Sequence, residues 1–125
     1  MTPAPTVLVV DDDRSIRTIL ALHLSDEGYR VLTAGDGWEA LEVVEREHPA
    51  AILLDMRMPG MDGWEFSRRY RERFDHDAPI IAFSAATDVA AYARQIGAEF
   101  YLSKPFDVDR LLEVLARAVV GAGPV

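Results

Sequence analysis

Val7-Leu8-Val9-Val10-Asp11-Asp12-Asp13 runs four aliphatic residues straight into three carboxylates. A short run that is apolar throughout fits a strand buried on both faces, the pattern of a parallel sheet covered by helices. Similar apolar runs recur at residues 29–34, 51–54, 80–83 and 100–102. Between them, apolar residues return at helical spacing: Ile16, Ile19, Leu20, Leu24; Ala40, Leu41, Val44; Phe66, Tyr70, Phe74; Val89, Ala93, Ile96; and Val108, Leu111, Leu112, Leu115, Val119. Five strands, each followed by a helix, make an α/β fold of βα units with a five-stranded parallel sheet. The run at 29–34 carries Arg30 and Thr33 and therefore belongs at an edge, whereas 7–10 and 51–54 belong at the centre. The simplest doubly wound order is 2-1-3-4-5, with the topological switch between the first and third strands.

The chain is 125 residues, one domain's length, with 13 Lys+Arg against 21 Asp+Glu, a formal net charge of −8. Half of it is hydrophobic, enough to furnish a core. It has no cysteine, which excludes disulfide scaffolds, thiolate metal sites and cysteine catalysis. Net negative charge argues against non-specific nucleic-acid binding, which needs Lys and Arg to displace phosphate counterions. No stretch without a charged side chain is longer than residues 78–87, well short of the roughly 18 apolar residues of a membrane span. Residues 1–6 lack the basic and apolar regions of a signal peptide. The expectation is a single soluble, cytoplasmic domain over 1–125, with its core in about 6–120 and a frayed tail from Gly121.

Helix ends are marked. Asp36-Gly37-Trp38-Glu39 and Asp62-Gly63-Trp64-Glu65 both carry the spacing of a capping box, and Gly28 and Gly97 stand where left-handed caps close the first and fourth helices. The repeated tetrapeptide is read as two helix starts and not as a duplication, because nothing around the copies matches at a fixed period.

The chemistry lies at the strand ends. The first run ends in Asp11, Asp12 and Asp13, the third in Asp55, the fourth in Ser84 and the fifth in Lys104-Pro105. In a doubly wound sheet, ligands bind outside the carboxyl ends of the strands, so these residues converge on one cleft. Clustered carboxylates raise one another's pKa unless a cation sits among them. A few oxygen donors with room for water favour Mg²⁺ over zinc or calcium. Beside such a cation, the Lys104 ammonium and the Ser84 hydroxyl form a clamp for a phosphoryl group, and Asp55, emerging singly from a central strand, is the candidate nucleophile for an aspartyl phosphate. Asp13 is read as the cap of the first helix.

Together, Val7-Leu8-Val9-Val10-Asp11-Asp12-Asp13, Leu54-Asp55-Met56-Arg57-Met58-Pro59-Gly60-Met61-Asp62-Gly63 and Lys104-Pro105-Phe106 resemble the receiver domain of bacterial two-component response regulators. The resemblance covers about residues 6–120. It implies a flavodoxin-like doubly wound (βα)5 fold and a phosphorelay role. By position, the phosphoacceptor falls on Asp55, the acidic pair on Asp11 and Asp12, the switch hydroxyl on Ser84, the lysine on Lys104 and the aromatic switch on Tyr101. It further implies Mg²⁺ held by Asp12, Asp55 and the Arg57 backbone carbonyl, with Asp11 acting mainly through water. A sensor histidine kinase or phosphotransfer protein is the implied donor and a further protein the implied target; no nucleic acid or membrane partner is expected. Two features depart from the family pattern. The segment from Ser84 to Lys104 is shorter than usual, which puts in doubt the family's homodimer through its fourth helix, fifth strand and fifth helix. The sequence also ends after the receiver, so the expectation is a stand-alone, chemotaxis-regulator-like protein that signals and is not an enzyme.

Other readings compete. A module of the same fold could signal without phosphorylation. A flavin carrier would need a Ser/Thr/Gly phosphate loop where the three carboxylates stand, and an aspartate-nucleophile phosphatase usually has a second Asp where Arg57 stands. Arg57 and Ala86 occupy the positions that flank the family's phosphoryl site. There, Arg57 is expected to lie over the phosphoryl group and slow its loss. His23 is assigned to the edge of the first helix's apolar face, His48 to a helix end and His76 to a loop, and Arg68, Arg69, Arg71 and Arg73 to a solvated helix face. The wide apolar arc of the last helix suits either the core or a partner groove.

Overall fold

The computed structural model describes residues 4–74, 78–85 and 87–122. Its elements alternate strictly: β1 (Thr6–Val10), α1 (Arg14–Asp26), β2 (Arg30–Ala34), α2 (Gly37–Glu47), β3 (Ala51–Asp55), α3 (Gly63–Arg73), β4 (Ile80–Ser84), α4 (Val89–Gln95), β5 (Phe100–Ser103) and α5 (Val108–Ala122). The strands form one parallel sheet in the order β2-β1-β3-β4-β5, the order the apolar runs predict.

Because side chains alternate across a strand, each central strand feeds two cores. Leu8, Val10, Ile52, Leu54, Ile80 and Ala82 face one way and pack with Leu41 and Val44 of α2, Phe66 and Tyr70 of α3, and Val89 and Ala93 of α4. Val7, Val9, Ala51, Leu53, Ile81 and Phe83 face the other way, against Leu20 and Leu24 of α1 and Leu111, Leu115 and Ala118 of α5. The arc of α5 is thereby largely assigned to the interior, since Val114 and Ala118 are buried. β2 is an edge strand, as Arg30 and Thr33 require, and β5 is the other edge. Two central strands reach one residue further than the apolar runs, so that Asp55 and Ser84 are the last residues of β3 and β4.

The caps form with one difference. Asp36 accepts from the Glu39 N–H at 2.8 Å and Asp62 from the Glu65 N–H at 2.9 Å, but neither glutamate returns the bond of a full capping box to its cap residue. Glu39 reaches one residue further back, to the Gly35 N–H. Glu65 pairs with Arg68 and Arg69, whose hydrogen bonds hold its carboxyl down at about 2. Gly28 and Gly97 adopt φ of +95° and +72°, and each closes its helix with the two reverse bonds of a Schellman turn. The arginines of α3 lie along a paired surface: Arg68 bonds Glu65 and Glu72, Arg73 reaches Glu45 on α2, and Arg69 lies over the Trp38 ring. His23 is exposed on α1 and His48 forms the C-cap of α2 at φ +48°, whereas His76, Ala86 and residues 123–125 of the tail lie outside the described residues.

Candidate functional site

At the carboxyl end of the sheet, hydrogen bonding between strands fixes the floor of a cleft before any side chain is considered. The Asp11 N–H donates to the Ala34 carbonyl, continuing the β1–β2 pairing one residue past the strand, and the Lys104 N–H donates to the Ser84 carbonyl at 2.8 Å. Asp55 pairs in register with Phe83. Asp11, Asp55 and Ser84 are buried there and Lys104 is partly so. Together with Asp12, Asp13, Ile16, Arg57 and Ala85 they line a cleft of about 550 Å³.

Lys104 Nζ lies 3.1 Å from Asp11 Oδ2 and 3.6 Å from Asp55 Oδ2, bridging the two buried carboxylates. The underside of the ammonium rests on Phe83, 4.5 Å from the ring centroid. The other oxygens are held by backbone: Asp11 Oδ1 accepts from the Asp13 N–H at 2.8 Å, and Asp55 Oδ1 from the Arg57 N–H at 3.2 Å. Arg17 on α1 donates to the Asp11 carbonyl at 2.7 Å and so pins the loop from behind, a contact the sequence reading misses. The Asp13 side chain caps α1 by accepting from the Ser15 and Ile16 N–H groups, as its place before a helix predicts.

Asp55 carries the perturbed acidity of this cluster. Burial pushes its carboxyl from the ordinary 3.8 up to about 6, with Asp11 and Asp12 adding smaller pushes and Lys104 and the Arg57 N–H pulling the other way. Repulsion among the carboxylates, the cause expected from sequence, is thus secondary to desolvation. Carboxylate oxygens of Asp11, Asp12 and Asp55 all lie within 4.8 Å of one another, with Asp12 exposed to solvent. An all-oxygen donor set with one open side suits a small hard cation that keeps part of its water.

Two further residues named from the sequence lie at the margin of the cluster. Tyr101 lies on the edge strand β5, 44% exposed and outside the carboxylate cluster. The Arg57 side chain does not lie over Asp55; its guanidinium donates to the Tyr92 hydroxyl and sits 5.5 and 5.3 Å from the Trp64 and Tyr92 ring centroids. Trp64, Tyr92 and Gln95 escape the sequence reading because each is legible only as part of an amphipathic helix.

Residues 7–116 match the sequence profile of the response regulator receiver domain. The chain belongs to this family. The receiver is 44% identical over 108 residues to the response regulator MprA of Mycobacterium leprae, covering 85% of this chain and 47% of that protein. It is 41% identical over 116 residues to a probable transcriptional regulator, ycf27, of Porphyridium aerugineum, covering 91% and 47%. The chain thus spans about half the length of these curated relatives. Among solved structures, the Vibrio cholerae chemotaxis protein CheY4 superposes with a TM-score of 0.83 at 34% identity, covering 92% of this chain and 98% of that one. The flavodoxin-like fold and the two-component signalling family are therefore shown. Among the described residues, no helix is long and apolar enough to cross a membrane.

Proposed function

We propose that this receiver accepts a phosphoryl group on Asp55 from a phosphohistidine of a sensor kinase or phosphotransfer protein. The observation that supports this best is the Lys104 ammonium bridging Asp11 and Asp55 across a cleft whose other walls are a hydroxyl residue and an exposed carboxylate. An Asp55 oxygen attacks phosphorus in line, the P–N bond breaks, and the imidazole leaves as its neutral form after taking up a proton. Charge spreads over the transferring oxygens in the transition state, where Lys104 and the Ser84 hydroxyl act as donors. Asp12, Asp55 and the Arg57 backbone carbonyl would hold Mg²⁺, with Asp11 acting through water, and the bound ion would supply the remaining positive charge for the phosphoryl oxygens. Once phosphorylated, Asp55 draws the Ser84 hydroxyl inward, and Tyr101 moves from the sheet edge toward the vacated space. A cytoplasmic signalling role follows, with a downstream protein as the target, and residues 1–125 act as one receiver domain.

Mass spectrometry after incubation with acetyl phosphate tests the reading. The expected result is one acid-labile phosphoryl group that appears with Mg²⁺, disappears with chelator, and is absent from Asp55→Asn. Equal uptake by that variant places the acceptor elsewhere.

A further inference from the structure

Arg57 stands two residues beyond Asp55, lines the same cleft, and already donates its backbone N–H to Asp55. Its guanidinium is nonetheless engaged on the other side, by the Tyr92 hydroxyl and by two aromatic faces. Trp64 belongs to the first turn of α3, Tyr92 and Gln95 to α4. The Trp64 indole N–H donates to Gln95 Oε1 at 2.7 Å, and the Trp64 and Tyr92 rings meet edge to face at 4.6 Å. Arg57 therefore reinforces a tie that Trp64 also makes directly between α3 and α4. That tie matters most to α4, which has seven residues, no side-chain bond at its N-cap Asp88, and only Val89 and Ala93 buried.

A guanidinium prefers a doubly charged phosphoryl group to a phenol hydroxyl or a ring face, because the charge-assisted bonds are stronger and match its planar fork. We propose that Tyr92 and Trp64 compete with the phosphoryl group on Asp55 for the Arg57 guanidinium. Resting on the phosphoacceptor reading above, this gives the site two states. Without phosphate, Arg57 stays in the aromatic tie and α4 is held to α3. With phosphate, the guanidinium swings to the phosphoryl oxygens, screens phosphorus from in-line water, and loosens α4, which is then held to α3 by the direct Trp64 contacts alone. Tyr92 and Trp64 are positioning residues in this scheme. They act through Arg57, and they couple the lifetime of the phosphoryl group to the freedom of α4.

The test uses the whole chain in a Trp38→Phe background, which leaves Trp64 as its one tryptophan. Beryllofluoride with Mg²⁺ serves as the phosphoryl mimic. It is expected to shift Trp64 emission and to speed amide exchange across residues 89–96. Arg57→Ala is expected to show that exchange about threefold faster before any mimic is added, with no further response to it. Tyr92→Phe keeps the ring and deletes the hydroxyl acceptor, so it frees Arg57 and is expected to lengthen the phosphoryl half-life about threefold, whereas Arg57→Ala shortens it. Unchanged exchange at 89–96 in unphosphorylated Arg57→Ala overturns the tie, and half-lives that move in the same direction in both variants overturn the competition. The mass of each sample separates the two readings. Phosphate on Asp55 with silent Trp64 emission and silent α4 exchange overturns the competition alone, while no phosphate on Asp55 overturns both.

Discussion

The floor and the rim of the cleft are built on different physical terms. Asp11, Asp55 and Lys104 form the floor, where the two carboxylates are buried and the ion pairs span residues far apart in sequence. Arg57, Trp64, Tyr92 and Gln95 form the rim, where Arg57 and Gln95 are exposed, the Trp64 and Tyr92 rings lie half-buried against the core, and the four meet through one cation, two rings and two hydrogen bonds. A charge removed from the floor leaves another buried and uncompensated, whereas a partner removed from the rim is replaced by water. The floor is therefore rigid and electrostatically costly to disturb, and the rim is cheap to rearrange. Rigidity suits chemistry, and a cheap rearrangement suits signalling.

Replacement of Lys104 strikes the floor hardest. Lys104→Met leaves Asp11 and Asp55 facing each other without their bridging cation, and the expected loss at pH 8 is about 3 kcal/mol in urea unfolding. The loss shrinks as pH falls and the carboxyls become neutral, and it shrinks in an Asp55→Asn background. A loss of the same size in both backgrounds would break the view of the floor as one coupled charge cluster.

Removing the Asp55 carboxylate has the opposite sign. Asp55 has a folded pKa of about 6 against an ordinary 3.8, so between those values the folded state holds more of the proton than the unfolded chain. Folding stability therefore falls as pH rises from about 4 to about 6, and stays lowered above that. Asp55→Asn escapes this cost. In Mg²⁺-free buffer it is expected to be more stable than wild type by about 2 kcal/mol at pH 7.5, with the gain vanishing below about pH 4. Equal stability of the two proteins at pH 7.5 would show that Lys104 already compensates the buried charge in full.

The same contrast explains what could be read from the residues alone. The floor was legible because strand order and register follow from five apolar runs, and because Asp11, Asp55, Ser84 and Lys104 end those runs at the same edge of the sheet. Backbone hydrogen bonds do the positioning, so knowing the strands is enough. Asp13 was legible for a similar reason, since a carboxylate just before a helix has backbone N–H groups within reach. The rim has no such rule. Arg57 and Tyr92 are 35 residues apart, and nothing in an amphipathic pattern says that an arginine two residues past the end of β3 turns toward α4 and not toward Asp55. The capping glutamates teach the same lesson: Asp36 and Asp62 bind the N–H groups the spacing requires, yet Glu39 and Glu65 choose other partners, because a long exposed side chain answers to whatever neighbours it finds.

The smallest effect is expected at the rim itself. Trp64→Phe keeps an aromatic face for Arg57 and for Tyr92 but deletes the indole N–H that bonds Gln95. Water can satisfy the freed Gln95 oxygen, so the loss is the net value of one exposed hydrogen bond plus a smaller ring contact, below about 1 kcal/mol. Thermal unfolding should therefore show a shift far smaller than that of Lys104→Met. Amide exchange is the sharper measurement: faster exchange is expected in residues 89–96 and not in β1 or β3, because local opening of α4 need not pass through global unfolding. If protection falls equally in α4 and in the central strands, Trp64 supports the whole fold, and the rim is not a separate, loosely held unit.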